Sequence, residues 1–187
     1  MALLEMRAAV YVRGASTLAG PLTLKLDEHA RMAHACENDV AAYVTAFMAA
    51  GLVAPTRGSL FVGAFDPRIQ PVQVKRITGF VPHAALPLDF SSFVKYVEYR
   101  AALWSLPRAE SIVRARAILS KLDGVHEQFA FPLVGALLGA PRLLVLDRPQ
   151  PAYAAQIALA AGSCAVFSTH ANARDAERFT GGCLVPA

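Results

Sequence analysis

The chain has 187 residues, 55% of them hydrophobic, with a formal net charge of +4 and a mean hydropathy of +0.39. That length fits one domain, 1–187, with a real core. Its three cysteines, Cys36, Cys164 and Cys183, fit no metal spacing, and its basic residues are scattered without interleaved aromatics, which argues against a nucleic-acid partner.

Residues Ala8–Gly14 and Pro21–Leu26 read as two strands. The second alternates Leu22, Leu24 and Leu26 with Thr23 and Lys25, so it is half buried and antiparallel. A third strand, Arg31–Ala35, leads into Cys36-Glu37-Asn38-Asp39. An apolar helix follows over Val40–Ala50, capped by Asn38 or Asp39 and closed near Gly51. A turn at Pro55–Gly58 gives way to a strand at Ser59–Val62. A loop holding Pro67 and Pro71 then leads to a strand at Ile77–Val81.

The middle of the chain is helical: Ser91–Leu106, started by Ser91 or Asp89, then Arg108–Leu122 with Ile112, Ala115, Leu119 and Leu122 on one face. A short buried helix at Leu133–Leu138 feeds a strand at Leu143–Asp147. The apolar stretch Phe129–Leu146 is about the ~18 residues of a membrane span, but Pro132 and Pro141 interrupt it. It is expected to be core, with no span. A helix at Ala152–Ala161, a strand from Cys164, a short helix at Asn172–Arg178 and a closing strand at Cys183–Val185 complete the reading. Strands at both ends around a helical insert, roughly 88–135, give an α/β core with a reduced helical arm.

Two strand ends carry the polar chemistry. Leu143-Leu144-Val145-Leu146 is a run buried on both faces that ends in Asp147, and the Cys164 strand ends in Ser168-Thr169-His170. In an open α/β sheet, ligands bind at the carboxyl edge, where both groups fall. His29, His34 and His126 have no partner at metal spacing, so no metal site is expected. Cys36 stands before a helix, but Glu37 and Asp39 oppose a lowered thiol pKa. Tyr43 and Phe47, at i and i+4, are packing residues.

The order of these segments resembles the ATP-binding cassette (ABC) nucleotide-binding domain over roughly residues 8–180. Gly51–Val62 is similar to the stretch after that family's first core helix, and Val74–His83 to the strand entering its Q-loop. Ala136–Pro149 is similar to the approach to Walker B, and Ser168-Thr169-His170 to the switch-histidine loop. The resemblance implies a P-loop-NTPase-like core with N-terminal antiparallel strands.

Matched to the family's phosphate loop, Cys36–Val44 departs from it. Glycines there let backbone N–H groups turn toward phosphates, and a lysine neutralises charge. Here Cys36, Asp39 and Ala41 hold the glycine positions, Ala42 the lysine position and Tyr43 the Mg²⁺-binding hydroxyl position. Asn38 matches a common family residue. Glu37 and Asp39 put negative charge where a triphosphate would lie. Asp147 keeps the Walker B aspartate, but Arg148 replaces the glutamate that polarises the attacking water, and a cation cannot accept that proton. His83 holds the Q-loop glutamine position. Gly124–Gln128 either replaces the signature motif or borders a deletion, and Gln150–Ala155 shows no D-loop.

The expectation is a non-catalytic ABC-type homologue, a pseudo-ATPase, with Asn38, His83, Asp147 and His170 as vestigial nucleotide-site residues and no cofactor. Asp147 is expected to cap a helix or to hydrogen-bond the altered loop, and His170 to cap the next helix or pair with a carboxylate. The resemblance implies partners: a permease docking near Phe80–Phe93, a catalytic ABC ATPase, or a second copy. It implies a cytoplasmic location, peripheral on the inner face of the membrane. The alternative is a weak ATPase subunit, using ATP and Mg²⁺, that completes its site with a partner chain. An arginine excess (14 of 18 basic residues) suits a GC-rich bacterial genome.

Overall fold

The computed structural model describes residues 2–83 and 92–183. It contains two sheets. In the first, β1 (Ala2–Arg13) lies between β2 (Ser16–Asp27) and β4 (Arg57–Val62), all antiparallel. In the second, β3 (Arg31–Ala35), β7 (Ala165–His170), β6 (Leu143–Asp147) and β5 (Thr78–Val81) run parallel in that order. Both expected features, the antiparallel N-terminal strands and the parallel core, are present.

The parallel sheet divides the core. Along β6, Leu143 and Val145 face a cluster shared with β1, β4 and α1 (Asp39–Ala49). Leu144 and Leu146 face a second cluster built from the helices on the other side. This alternation is why the strand is apolar at every position: it is covered on both faces. The second layer comprises α3 (Phe93–Leu103), α4 (Arg108–Leu119), α5 (Glu127–Leu137), α6 (Ala154–Ala161) and α7 (Ala173–Cys183). The helical arm meets the core where α3 crosses α5 at Gly135. A Cβ there would lie 2.1 Å from Tyr96 Oη, so only glycine admits the buried tyrosine so closely.

Several boundaries differ from the sequence reading. β1 begins at Ala2, because Ala8 takes φ +46° and a register shift between Met6 and Ala9 breaks the alternation. β2 begins at Ser16. The expected loop before β5 contains a helix, α2 (Pro71–Ile77), with Pro71 in its first turn, and Ile77 belongs to it; proline is pre-organised there and lacks only an N–H the helix cannot use. α5 starts at Glu127 and runs through Pro132. Seven of its residues are buried, and that burial outweighs the roughly 3 kcal/mol a mid-helix proline costs. The helix before β7 opens with a 3-10 turn, Pro151–Tyr153. Ser92 caps α3: its hydroxyl accepts from the Lys95 N–H. Ser91 and Asp89 lie outside the described residues. Cys183 ends α7 and opens no strand; the rest of the expected closing strand, 184–185, lies outside them too.

Candidate functional site

The carboxyl edge of the parallel sheet gathers the residues singled out by the sequence. β3 ends at Ala35 and passes into Cys36–Asn38, β6 ends at Asp147, β7 at His170, and β5 leads through Val81 to His83. Two main-chain bonds fix this edge. The Cys36 N–H donates to the His170 carbonyl at 2.8 Å, and the Arg148 N–H to the Thr169 carbonyl at 2.9 Å.

Asp147 is 2% exposed, and its carboxylate faces Arg148. The Arg148 Nε donates to Oδ1 at 2.8 Å and Nη2 to Oδ2 at 3.2 Å. Adjacent residues form this two-point pair because Arg148 adopts φ +47°, a left-handed conformation uncommon for a non-glycine residue. The same guanidinium crosses to the first turn of α1, where Nη1 donates to Asp39 Oδ1 at 2.7 Å. The bond to Asp147 is the main reason the guanidinium holds its proton even more firmly than usual. Asp147 therefore caps no helix; it anchors Arg148 and accepts a longer bond from the His83 N–H at 3.4 Å. His83 completes the loop, its ring Nδ1 donating to the Arg148 carbonyl at 3.0 Å.

Asn38 caps α1: its Oδ1 accepts from the Ala41 N–H at 2.9 Å. Ala42 is fully buried, whereas Tyr43 is exposed and packs on Phe47 with the rings tilted and their centroids 4.2 Å apart. Phe47 in turn meets Phe80 edge-on at 5.1 Å. Burial, above all, pushes the Cys36 thiol up to about 11, so the helix N-terminus does not activate it.

His170 is 1% exposed and does not follow the expectation of a helix cap or a carboxylate partner. Its Nε2 shares a hydrogen bond with the Ser168 hydroxyl at 3.0 Å, and its ring packs on Phe179. Burial pushes its pKa down to about 4, so it is neutral at pH 7. Asn172 caps α7 instead, accepting from the Asp175 N–H at 2.9 Å.

The structure thus brings Asn38, His83, Asp147 and His170 to one edge and adds two residues to them, Asp39 and Arg148. The sequence marked Arg148 only as an obstacle to catalysis, and Asp39 as a candidate helix cap and as charge against the phosphates and a Cys36 thiolate. Arg148 also lines a cavity of about 300 Å³ with His83, His126, Gln128 and Tyr153. As an arrangement of charge it is a closed cluster: one cation between two carboxylates.

No family model and no curated protein matches the sequence. Solved structures do match the fold. An ATP-binding subunit of an ABC transporter aligns with TM-score 0.71 and 18% identity over 90% of this chain and 79% of its own. cbiO1 from Clostridium perfringens, part of the ABC transporter complex cbiONQ, aligns with TM-score 0.71 and 17% identity over 90% and 78%. A dimeric ATP-binding cassette in a post-hydrolysis state, bound to ADP and Pi, aligns with TM-score 0.73 and 13% identity over 94% and 90%.

The fold is that of an ABC ATPase core. Asn38, Asp147 and His170 lie at the carboxyl edge of the parallel sheet, the edge at which ligands bind in open α/β folds in general. Among the described residues no helix is long and apolar enough to cross a membrane.

Proposed function

We propose that this chain is a non-catalytic homologue of ABC nucleotide-binding domains, a pseudo-ATPase that serves as a structural or regulatory subunit of an ABC-transporter-like membrane complex. The observation that carries this reading is the Arg148 guanidinium, held by Asp147 and by Asp39. The residues present do not fit Mg-ATP. A divalent cation at Asp147 would meet a carboxylate whose two oxygens already bind a cation. Ala42, buried at the lysine position, brings no charge. Asn38 occupies the Ala41 N–H, one of the helix N-terminal donors a phosphate would need. Beside Asp147, Arg148 is a cation and His170 is buried against Ser168, so neither serves as a base for water.

Without a nucleotide to bind, the chain contributes shape and an interface. The contacting rings of Tyr43, Phe47 and Phe80 join α1 to β5 in an aromatic cluster, suited to a permease segment. A catalytic ABC ATPase or a second copy of this chain is the other partner the fold suggests, at the cytoplasmic face of a membrane.

A weak ATP-binding subunit is the second reading, favoured by the survival of Asp147 and His170 on adjacent strand ends. The melting temperature with and without millimolar Mg-ATP separates the two. Binding at a hundredfold excess over Kd adds about 2.7 kcal/mol, which is several degrees. We expect no shift, together with co-purification of the chain with a membrane complex. A shift of several degrees selects the second reading.

A further inference from the structure

The opposite, amino-terminal edge of the parallel sheet opens into a cavity of about 450 Å³. That volume lies in the range of small-molecule sites. It sits at the seam of the fold, where Leu3 of β1 meets Ile118 of α4, Leu137 of α5 and Ala160 of α6. These four side chains are buried and form an apolar wall.

The rim is cationic. Arg114 and Lys121, on α4 and just after it, line the cavity from one side, and Arg142, at the start of β6, lines it from another. Glu28 is the one carboxylate in the lining, and it is paired with Arg142. Among the described residues neither Arg114 nor Lys121 has a carboxylate partner. Helix ends do not account for Arg114, whereas Lys121 follows the last turn of α4, where helix carbonyls favour a cation. The carbonyls of Ala158, in α6, and of Gly162, its C-cap, accept from Arg31 at 3.2 and 3.3 Å, and Arg114 stands in the middle of α4, away from the carbonyls of its last turn. Two cations without a carboxylate partner beside an apolar wall match a ligand with both characters.

We propose that this cavity binds a small amphiphile, its anionic head held by Arg114 and Lys121 and its apolar body against Leu3, Ile118, Leu137 and Ala160. Such a ligand touches the antiparallel sheet, the helical layer and the start of the parallel strands at once, so it ties the arm to the core. The site is remote in the fold from Arg148 and Asp147 and does not depend on the pseudo-ATPase reading.

Isothermal titration calorimetry of the full chain with sodium decanoate, and separately with inorganic phosphate, tests it. Decanoate should bind one to one, and phosphate at least about tenfold more weakly, a difference of about 1.4 kcal/mol or more. The double variant Arg114→Ala/Lys121→Ala should weaken decanoate binding at least about tenfold while keeping the wild-type melting temperature, since both side chains are exposed. Ala117→Trp, at an exposed α4 position that lines the cavity, should fill it and abolish binding. No binding of decanoate, or binding unchanged in the double variant or in Ala117→Trp, overturns the proposal. So does phosphate binding as tightly as decanoate, because the apolar wall would then have no role. Neither outcome bears on Mg-ATP, which is read at the other edge.

Discussion

Arg148 and Asp39 stand 109 residues apart, yet Nη1 of one donates to Oδ1 of the other at 2.7 Å. The bond joins the end of β6 to the first turn of α1 across the sheet edge. The arginine side chain is 18% exposed and that of Asp39 is 74% exposed, so this arm of the cluster lies in water. The other arm, to Asp147 with its side chain 1% exposed, does not.

That asymmetry predicts unequal mutants. Arg148→Ala leaves the Asp147 carboxylate buried with only a long bond from His83, and should cost about 3 kcal/mol. Asp39→Asn removes a water-exposed partner and should cost about 0–1 kcal/mol. Urea unfolding midpoints for both variants check this. Equal losses would show that the buried arm of the cluster carries no more stability than the exposed one.

His170 sets a pH window. The unfolded chain protonates this histidine near the ordinary value of about 6.5, whereas the folded chain holds it neutral down to about 4. Between those values the unfolded state binds more protons, so stability must fall as pH drops from about 6.5 toward 4. Asp175 acts weakly the other way, and His34, lowered by burial, adds to the fall. The loss should approach about 3 kcal/mol at most. His170→Asn should flatten most of the slope of unfolding free energy against pH over this window, leaving the part owed to His34. A variant with the full wild-type slope would assign the effect elsewhere.

The thiols give a third test. Burial pushes both Cys36 and Cys164 up to about 11, so at pH 7 neither holds an appreciable thiolate fraction. Site-resolved mass spectrometry after iodoacetamide treatment should find both labelled at least about tenfold more slowly in the native chain than in urea. Fast native labelling of Cys36 would mean that the α1 N-terminus does stabilise a thiolate, against its burial and the nearby Asp147.

The sequence made β3 legible to the residue and β6 through its apolar run Leu143–Leu146, because each is a short run closed by polar residues. Asn38 was legible as a cap because its side chain acts within its own turn. α2 was hidden: of its seven residues only Val74 is buried, so it shows no apolar stripe. The start of β1 was hidden by the bulge at Ala8, which breaks the two-residue alternation. At the site, the sequence placed Asp147 and His170 at strand ends but could not pair Arg148 with them. That pairing needs a left-handed backbone at an arginine and a contact across 109 residues, neither of which has a local signal. Glu37 and Asp39 read as charge against phosphate; in the fold, Asp39 has found a cation of its own.

The crossing of α3 and α5 yields the last prediction. A Cβ on Gly135 would fall 2.1 Å from Tyr96 Oη, 2.9 Å from its Cζ and 3.1 Å from Arg100 Nε. Tyr96 is 3% exposed, and its ring cannot swing into solvent without uncovering the arm's core. Gly135→Ala gains up to about 1 kcal/mol of helix propensity, but overpacking of a buried ring costs about 1–3 kcal/mol. With the full propensity gained, the net effect should be a loss of up to about 2 kcal/mol. Removing the hydroxyl relieves the closest clash, so Tyr96→Phe in the Gly135→Ala background should recover about half of that loss or more, whereas Tyr96→Phe alone should not stabilise the chain. A double-mutant cycle by thermal or urea unfolding reads the coupling directly. Additive single effects would mean that α3 shifts away from α5 to accept the methyl group, and that the arm is not held at this crossing.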